Sequence, residues 1–155
     1  MRPDEPMTTR RALLLLVPGV LGVLAAPVAV VAAEAPLHFR LVVHPDAAPA
    51  VLERQLVADI FLKKTTRWPN GSPIAAVDLR FDNPVRREFS ERVLRRSVSA
   101  VRSYWQQRIF TGRDVPPPEL DSDEAVIRYV QSRRGAIGYV SDRVETGAVR
   151  VVPLR

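Results

Sequence analysis

Arg80 and Asp82 stand just ahead of Asn83-Pro84, a helix cap followed by a first-turn proline, so a guanidinium and a carboxylate are set at the start of a helix. Two readings are open for them. One is a surface ion pair flanking the cap, worth little to stability. The other is a grip on a tetrahedral oxyanion, which a guanidinium holds through paired N–H bonds. Arg86 and Arg87 add cations on the same helix. The hydroxyls of Thr65, Thr66 and Ser72 lie in a loop after an earlier helix, where such groups either close turns or line a cleft mouth.

Other chemistry is scarce. The 155 residues contain no cysteine, which excludes a disulfide framework, a thiolate metal site, a thiol nucleophile and a lipidated N-terminal cysteine. The two histidines, His38 and His44, fall on one face of an expected strand, ~20 Å apart at ~3.3 Å per residue, too far to share a metal ion. With no nucleophile motif, metal-ligand cluster or cofactor fingerprint, the sequence predicts a non-catalytic protein without metal or cofactor. Net charge is +6, but Lys63 and Lys64 are the only lysines, and an arginine bias of this kind follows from genome composition as readily as from binding. Arg86, Arg87, Arg92, Arg95, Arg96, Arg102 and Arg108 are interleaved with Glu88 and Glu91 and have no nucleic-acid motif beside them, so they read as a solvated face and no nucleic-acid partner is expected.

The elements that position these groups follow an uncharged N-terminal stretch. Residues 12–33 carry no charge and come after Arg10-Arg11, the order of a secretory signal, with cleavage expected after Ala33 and export as the consequence. An uncleaved anchor is the alternative, since the stretch is long enough to span a bilayer, although Pro18, Gly19, Gly22 and Pro27 weaken it as a helix. Arg10-Arg11 also fits a twin-arginine signal, so the export route stays open. Residues 34–155 are then one domain.

Within that domain 37–44 is rich in β-formers and reads as a strand stopped by Pro45. Leu52, Leu56, Val57, Ile60 and Phe61 recur at helical spacing over 50–64, with Lys63-Lys64 in the last turn. Residues 74–81 form a strand with apolar residues on both parities, as in a sheet covered on both faces. Two helices follow, capped by Asn83 and Ser97 and joined near Arg96, and their aromatic Trp105, like Tyr139 in a later strand, reads as core. Residues 111–118, with Pro116-Pro117-Pro118, make a stiff extended connection. Ser122 caps a helix with Asp123 and Glu124 in its first turn, and short strands at 136–140 and 149–154 end the chain. The order is that of an α/β layer fold.

The stretch Leu56-Val57-Ala58-Asp59-Ile60-Phe61-Leu62-Lys63-Lys64, followed by Trp68 and Ile74, and the strand Gly135-Ala136-Ile137-Gly138-Tyr139-Val140 resemble segments of periplasmic phosphate-binding proteins, the solute receptors of phosphate ABC transporters. The resemblance covers most of residues 41–141 and is to a single lobe. It implies one lobe of a type 2 periplasmic-binding fold, a mixed sheet flanked by helices. The phosphate loop of that family reads R-x-D-G-S-G-T at a helix N-terminus; here Arg80 and Asp82 match, whereas Asn83-Pro84-Val85-Arg86 replaces the glycines and hydroxyls. Pro84 has no N–H to give and Val85 adds bulk where backbone amides would meet phosphate oxygens.

The function implied is binding of phosphate or a related oxyanion in connection with an ABC transporter permease. Arg80 and Asp82 are the principal ligand residues, with Asp82 accepting a proton from monoprotonated phosphate, and Arg86, Thr65 and Thr66 are further candidates. Half of a two-lobed cleft is missing, so a second copy or another protein would complete it. The alternative is a scaffold or protein-interaction module that kept the fold and lost the anion.

Overall fold

The computed structural model describes residues 37–47 and 49–155. The expected export signal and its cleavage point lie outside them. Among the described residues no helix is long and apolar enough to cross a membrane.

The first expected strand forms as β1 (Phe39–Val43), and the β-rich stretch near the end of the chain forms β5 (Ala136–Ser141), antiparallel to it with Leu41 opposite Tyr139. On the other edge of β1 lies antiparallel β6 (Arg150–Val152), and β2 (Ala75–Ala76) runs parallel beside β5, which gives the order β2-β5-β1-β6. Ala136 to Val140 are all buried because helices cover both faces of the sheet. On one face the Tyr139 ring stacks on Phe89 of α2 (Pro84–Arg92) at 3.9 Å and tilts against Phe61 of α1 (Arg54–Phe61) at 5.7 Å. On the other, Val126 and Val130 of α4 (Asp123–Ser132) lie over Gly138.

The caps follow the sequence reading. Asn83 Oδ1 accepts from Val85 N at 2.8 Å, Ser97 Oγ from Ala100 N and Ser122 Oγ from Ala125 N. The two middle helices are α2 and α3 (Val98–Phe110), broken where Arg95 takes a left-handed φ of 55°. Trp105 and Tyr139 are core, and Trp68 joins them, donating its Nε1–H to Gly135 O at 3.0 Å.

Two elements differ from expectation. The helix expected over 50–64 is only α1: Leu52 leaves helical geometry to bridge Leu154, exchanging hydrogen bonds with Pro153 and Arg155, and Lys63 and Lys64 lie beyond the last turn. Pairing with the C-terminal segment outweighs helical periodicity there. The strand expected over 74–81 divides in two. Val77 N still donates to Ile137 O of β5, but Asp78 N donates to Pro118 O, and β3 (Asp78–Leu79) pairs in parallel with β4 (Glu119–Leu120) in a separate two-stranded sheet. Pro116, Pro117 and Pro118 have no N–H to donate, yet the Pro118 carbonyl still accepts, and this lets the connection dock as a partner.

Candidate functional site

The loop 80–83 is held at both ends. Arg80 N donates to Leu120 O, tying it to β4, and Asn83 N donates to Arg80 O, closing a turn before α2 begins. Arg80 and Asp82 therefore meet at the surface, Nε to Oδ1 at 3.5 Å, with about half or more of each side chain in water. A second carboxylate faces the same guanidinium: Asp121 Oδ1 is 3.4 Å from Arg80 Nη1. The Asp82 and Asp121 carboxylates push the Arg80 pKa up and so hold the guanidinium in its charged form. Two anions around one cation leave the cluster with a negative balance, which opposes an incoming oxyanion. The helix start adds little, because Pro84 has no N–H and the Val85 amide already serves Asn83 Oδ1.

Arg86 occupies a different environment. Its side chain is 5% exposed and turns inward, with Nη1 2.8 Å from Asp78 Oδ2 and 3.3 Å from Glu119 Oε1, and it also donates to the Leu79 carbonyl. Asp78 is equally buried, and its Oδ1 accepts from the Tyr139 hydroxyl and from Leu79 N. The motif tyrosine of β5 thus closes a polar network inside the core, binding β3, β4, β5 and α2 together. Helical spacing holds the signal for it: Arg86, Phe89, Ser90 and Val93 share the buried face of α2, so an arginine on that face needs an acid opposite. Asp78, in a strand apolar on both sides, is that acid.

Burial pushes the Asp78 carboxyl up to about 6, against the opposing pull of Arg86 and of the hydrogen bonds from Tyr139 and Leu79. The folded protein therefore holds this proton more tightly than the unfolded chain, whose carboxyl titrates at its ordinary 3.8. Asp78's contribution to stability is full below about pH 4, declines as the pH rises to about 6, and is flat from there to neutrality. Urea midpoints at pH 4, 5, 6 and 7 are expected to show this decline in the wild type and to lose it in Asp78→Asn. Equal slopes in the two proteins would place the titration elsewhere.

Thr65 and Thr66 are not brought to this loop. Thr65 N donates to Asp59 O at the end of α1, and Thr66 O accepts from Ile74 N at the start of β2. From Ile74 the extended chain runs six residues to Arg80, ~20 Å at strand rise, so the threonines sit at the far end of that strand from the arginine. His38 and His44 flank β1 at opposite ends, each beside its own acid, Glu88 and Asp46.

Beside the loop lies a feature that spacing did not single out. Phe81, almost half exposed, carries the Arg102 guanidinium on its ring at 4.0 Å. A groove of about 380 Å³ opens there, lined by Phe81, Arg87, Val98, Arg102 and the hydroxyls of Ser97 and Ser99.

No protein-family model and no curated protein matches the chain. Solved structures do. A substrate-binding protein from Clostridium perfringens, assigned to a phosphate ABC transporter and carrying bound phosphate, is 22% identical with a TM-score of 0.59; the match covers 76% of this chain and 44% of that one. An ABC-type phosphate transport receptor from Vibrio cholerae matches at 16% identity and TM-score 0.52, and PstS from Borrelia burgdorferi at 9% and 0.54, each over 76% of this chain and 47% of the other. The chain has the mixed α/β periplasmic-binding fold and spans less than half the length of these structures, in keeping with a single lobe.

Proposed function

We propose that the protein is an exported, non-catalytic oxyanion-binding protein, phosphate being the first ligand to test, and that it works alongside an ABC transporter permease. Residues 1–33 serve as its export signal and 34–155 as its binding domain. The observation that carries the reading is the fold shared with phosphate receptors, in which the loop 80–83 brings Arg80 and Asp82 to the surface at the start of α2; an anion bound by Arg80 displaces Asp121 from the guanidinium. Arg86 serves this face from beneath, fixing α2 against β3 and β4, while Thr65 and Thr66 serve the turn before β2. A single open lobe leaves an anion largely hydrated, so a second copy supplies the opposing wall.

Isothermal titration of phosphate into the purified protein, with sulfate as competitor, tests the reading, and sedimentation with and without phosphate tests the second copy. Saturable phosphate binding and a phosphate-dependent dimer are expected. The second reading, a protein-interaction module, is favoured by the Asp82 and Asp121 carboxylates that neutralise Arg80 and by the Asn83 cap. A folded sample that takes up no phosphate at millimolar concentration would replace the first reading with this one.

A further inference from the structure

We infer that the groove between Arg87 and Arg102 is a second anion site, distinct from the Arg80–Asp82 loop, and that it takes an organic phosphate monoester. Charge partners separate the arginines around the loop. Arg80 faces Asp82 and Asp121, and Arg86 faces Asp78 and Glu119. Arg87 and Arg102, from two different helices, face no carboxylate within 4 Å among the described residues. Both line one groove of about 380 Å³. Stacking on Phe81 occupies a face of the Arg102 guanidinium and leaves the N–H groups at its edge available to an anion.

The serines supply a further donor. Ser97 Oγ and Ser99 Oγ are 2.9 Å apart, and whichever donates to the other, one hydroxyl proton of the pair is left over. Two guanidinium groups and a hydroxyl suit a tetrahedral dianion, whose several oxygens can each accept.

The apolar part of the ligand follows from the neighbouring surface. A second groove of about 170 Å³ shares Phe81, Val98 and Arg102 with the first and continues along α3 past Trp105, Gln106 and Ile109 to Pro116, with Arg86 and the Glu119 carboxylate also in its lining. Phe81 and Ile109 are 46% and 52% exposed there. Inorganic phosphate would leave this wall in water, whereas an uncharged hydrophobe would leave the two arginines unmatched. A monoester with a compact apolar group uses both.

The test is titration of phenyl phosphate and of inorganic phosphate into the purified wild type and into Arg87→Gln, Arg102→Gln, Arg80→Gln and Ile109→Ser, with thermal melts to confirm that each variant is folded. Phenyl phosphate is expected to bind about tenfold or more tightly than inorganic phosphate. Arg87→Gln and Arg102→Gln are each expected to weaken it by about tenfold or more, the scale of a lost charge-assisted hydrogen bond. Ile109→Ser is expected to remove the preference for the phenyl ester and leave inorganic phosphate unchanged. If both anions bind with equal affinity, the monoester class is wrong. If binding survives Arg87→Gln and Arg102→Gln but not Arg80→Gln, the groove is wrong and the oxyanion reading stands. Failure of the folded wild type to bind either anion would overturn both.

Discussion

Replacing Arg86 with methionine is expected to lower the unfolding free energy by about 3–5 kcal/mol at neutral pH, the cost of leaving one member of a buried ion pair alone. The Asp78 carboxylate would lose its 2.8 Å partner while remaining enclosed by Tyr139 and the chain of β3. In a domain of this size that is a fall of roughly 10–20 °C in Tm. The penalty is expected to shrink at pH 5, because Asp78 then takes up a proton and no bare charge remains, and adding Asp78→Asn to the Arg86→Met variant is expected to recover part of the loss. Thermal and urea unfolding of the two single variants and the double variant, at pH 5 and 7, would measure the coupling. An unchanged Tm in Arg86→Met would mean that this guanidinium is free to serve a ligand directly.

Gly135→Ala is expected to cost on the order of 3 kcal/mol or more, because two faults coincide. Gly135 has φ +78°, which an L side chain rarely adopts, and a Cβ there would lie 2.2 Å from the Pro73 carbonyl oxygen. That oxygen belongs to backbone leading into β2, and the Gly135 carbonyl itself accepts from Ala75 N and from Trp68 Nε1, so relieving the clash pulls apart the contacts that start the parallel β2–β5 pair. Gly138→Ala is the informative comparison. Its Cβ would meet Val126 Cγ1 at 2.7 Å and Val77 Cγ1 at 2.9 Å, which are side-chain methyl groups and not backbone, and its φ is not left-handed, so the milder loss is expected there. Melting curves would rank the two, and Trp68 fluorescence would report on the loosened β2 edge in the first.

These two glycines also show what could be read from the sequence. The motif strand was legible as a buried strand because every residue in it is small or apolar apart from Tyr139, and the caps at Asn83, Ser97 and Ser122 were legible because capping is a local contest between one side chain and nearby amides. The division of 74–81 between two sheets was not, because it is decided by Pro118 and Leu120, some forty residues away, taking the hydrogen bonds of Asp78 and Arg80. The site divides in the same way. Arg80 and Asp82 are neighbours in the chain and meet as spacing requires, whereas Asp121, which alters the charge balance around Arg80, comes from beyond β4. Arg86 carried a visible cue in its helical phase with Phe89 and Val93, but a stripe begun at Val85 places it one step off the buried face.

The pairing of β1 bears on when the protein can fold. Its neighbours on both sides, β5 and β6, come about a hundred residues later, so the centre of the sheet has nothing to pair with until residues 136–152 are available. Contacts of such long range form slowly, and until they form the Leu41-Val42-Val43 segment has two open edges, a template for pairing between chains. A chain interrupted before β5 therefore needs shielding. For a chain made from its N-terminus, this late closure holds the sheet open until its last strands have been synthesised.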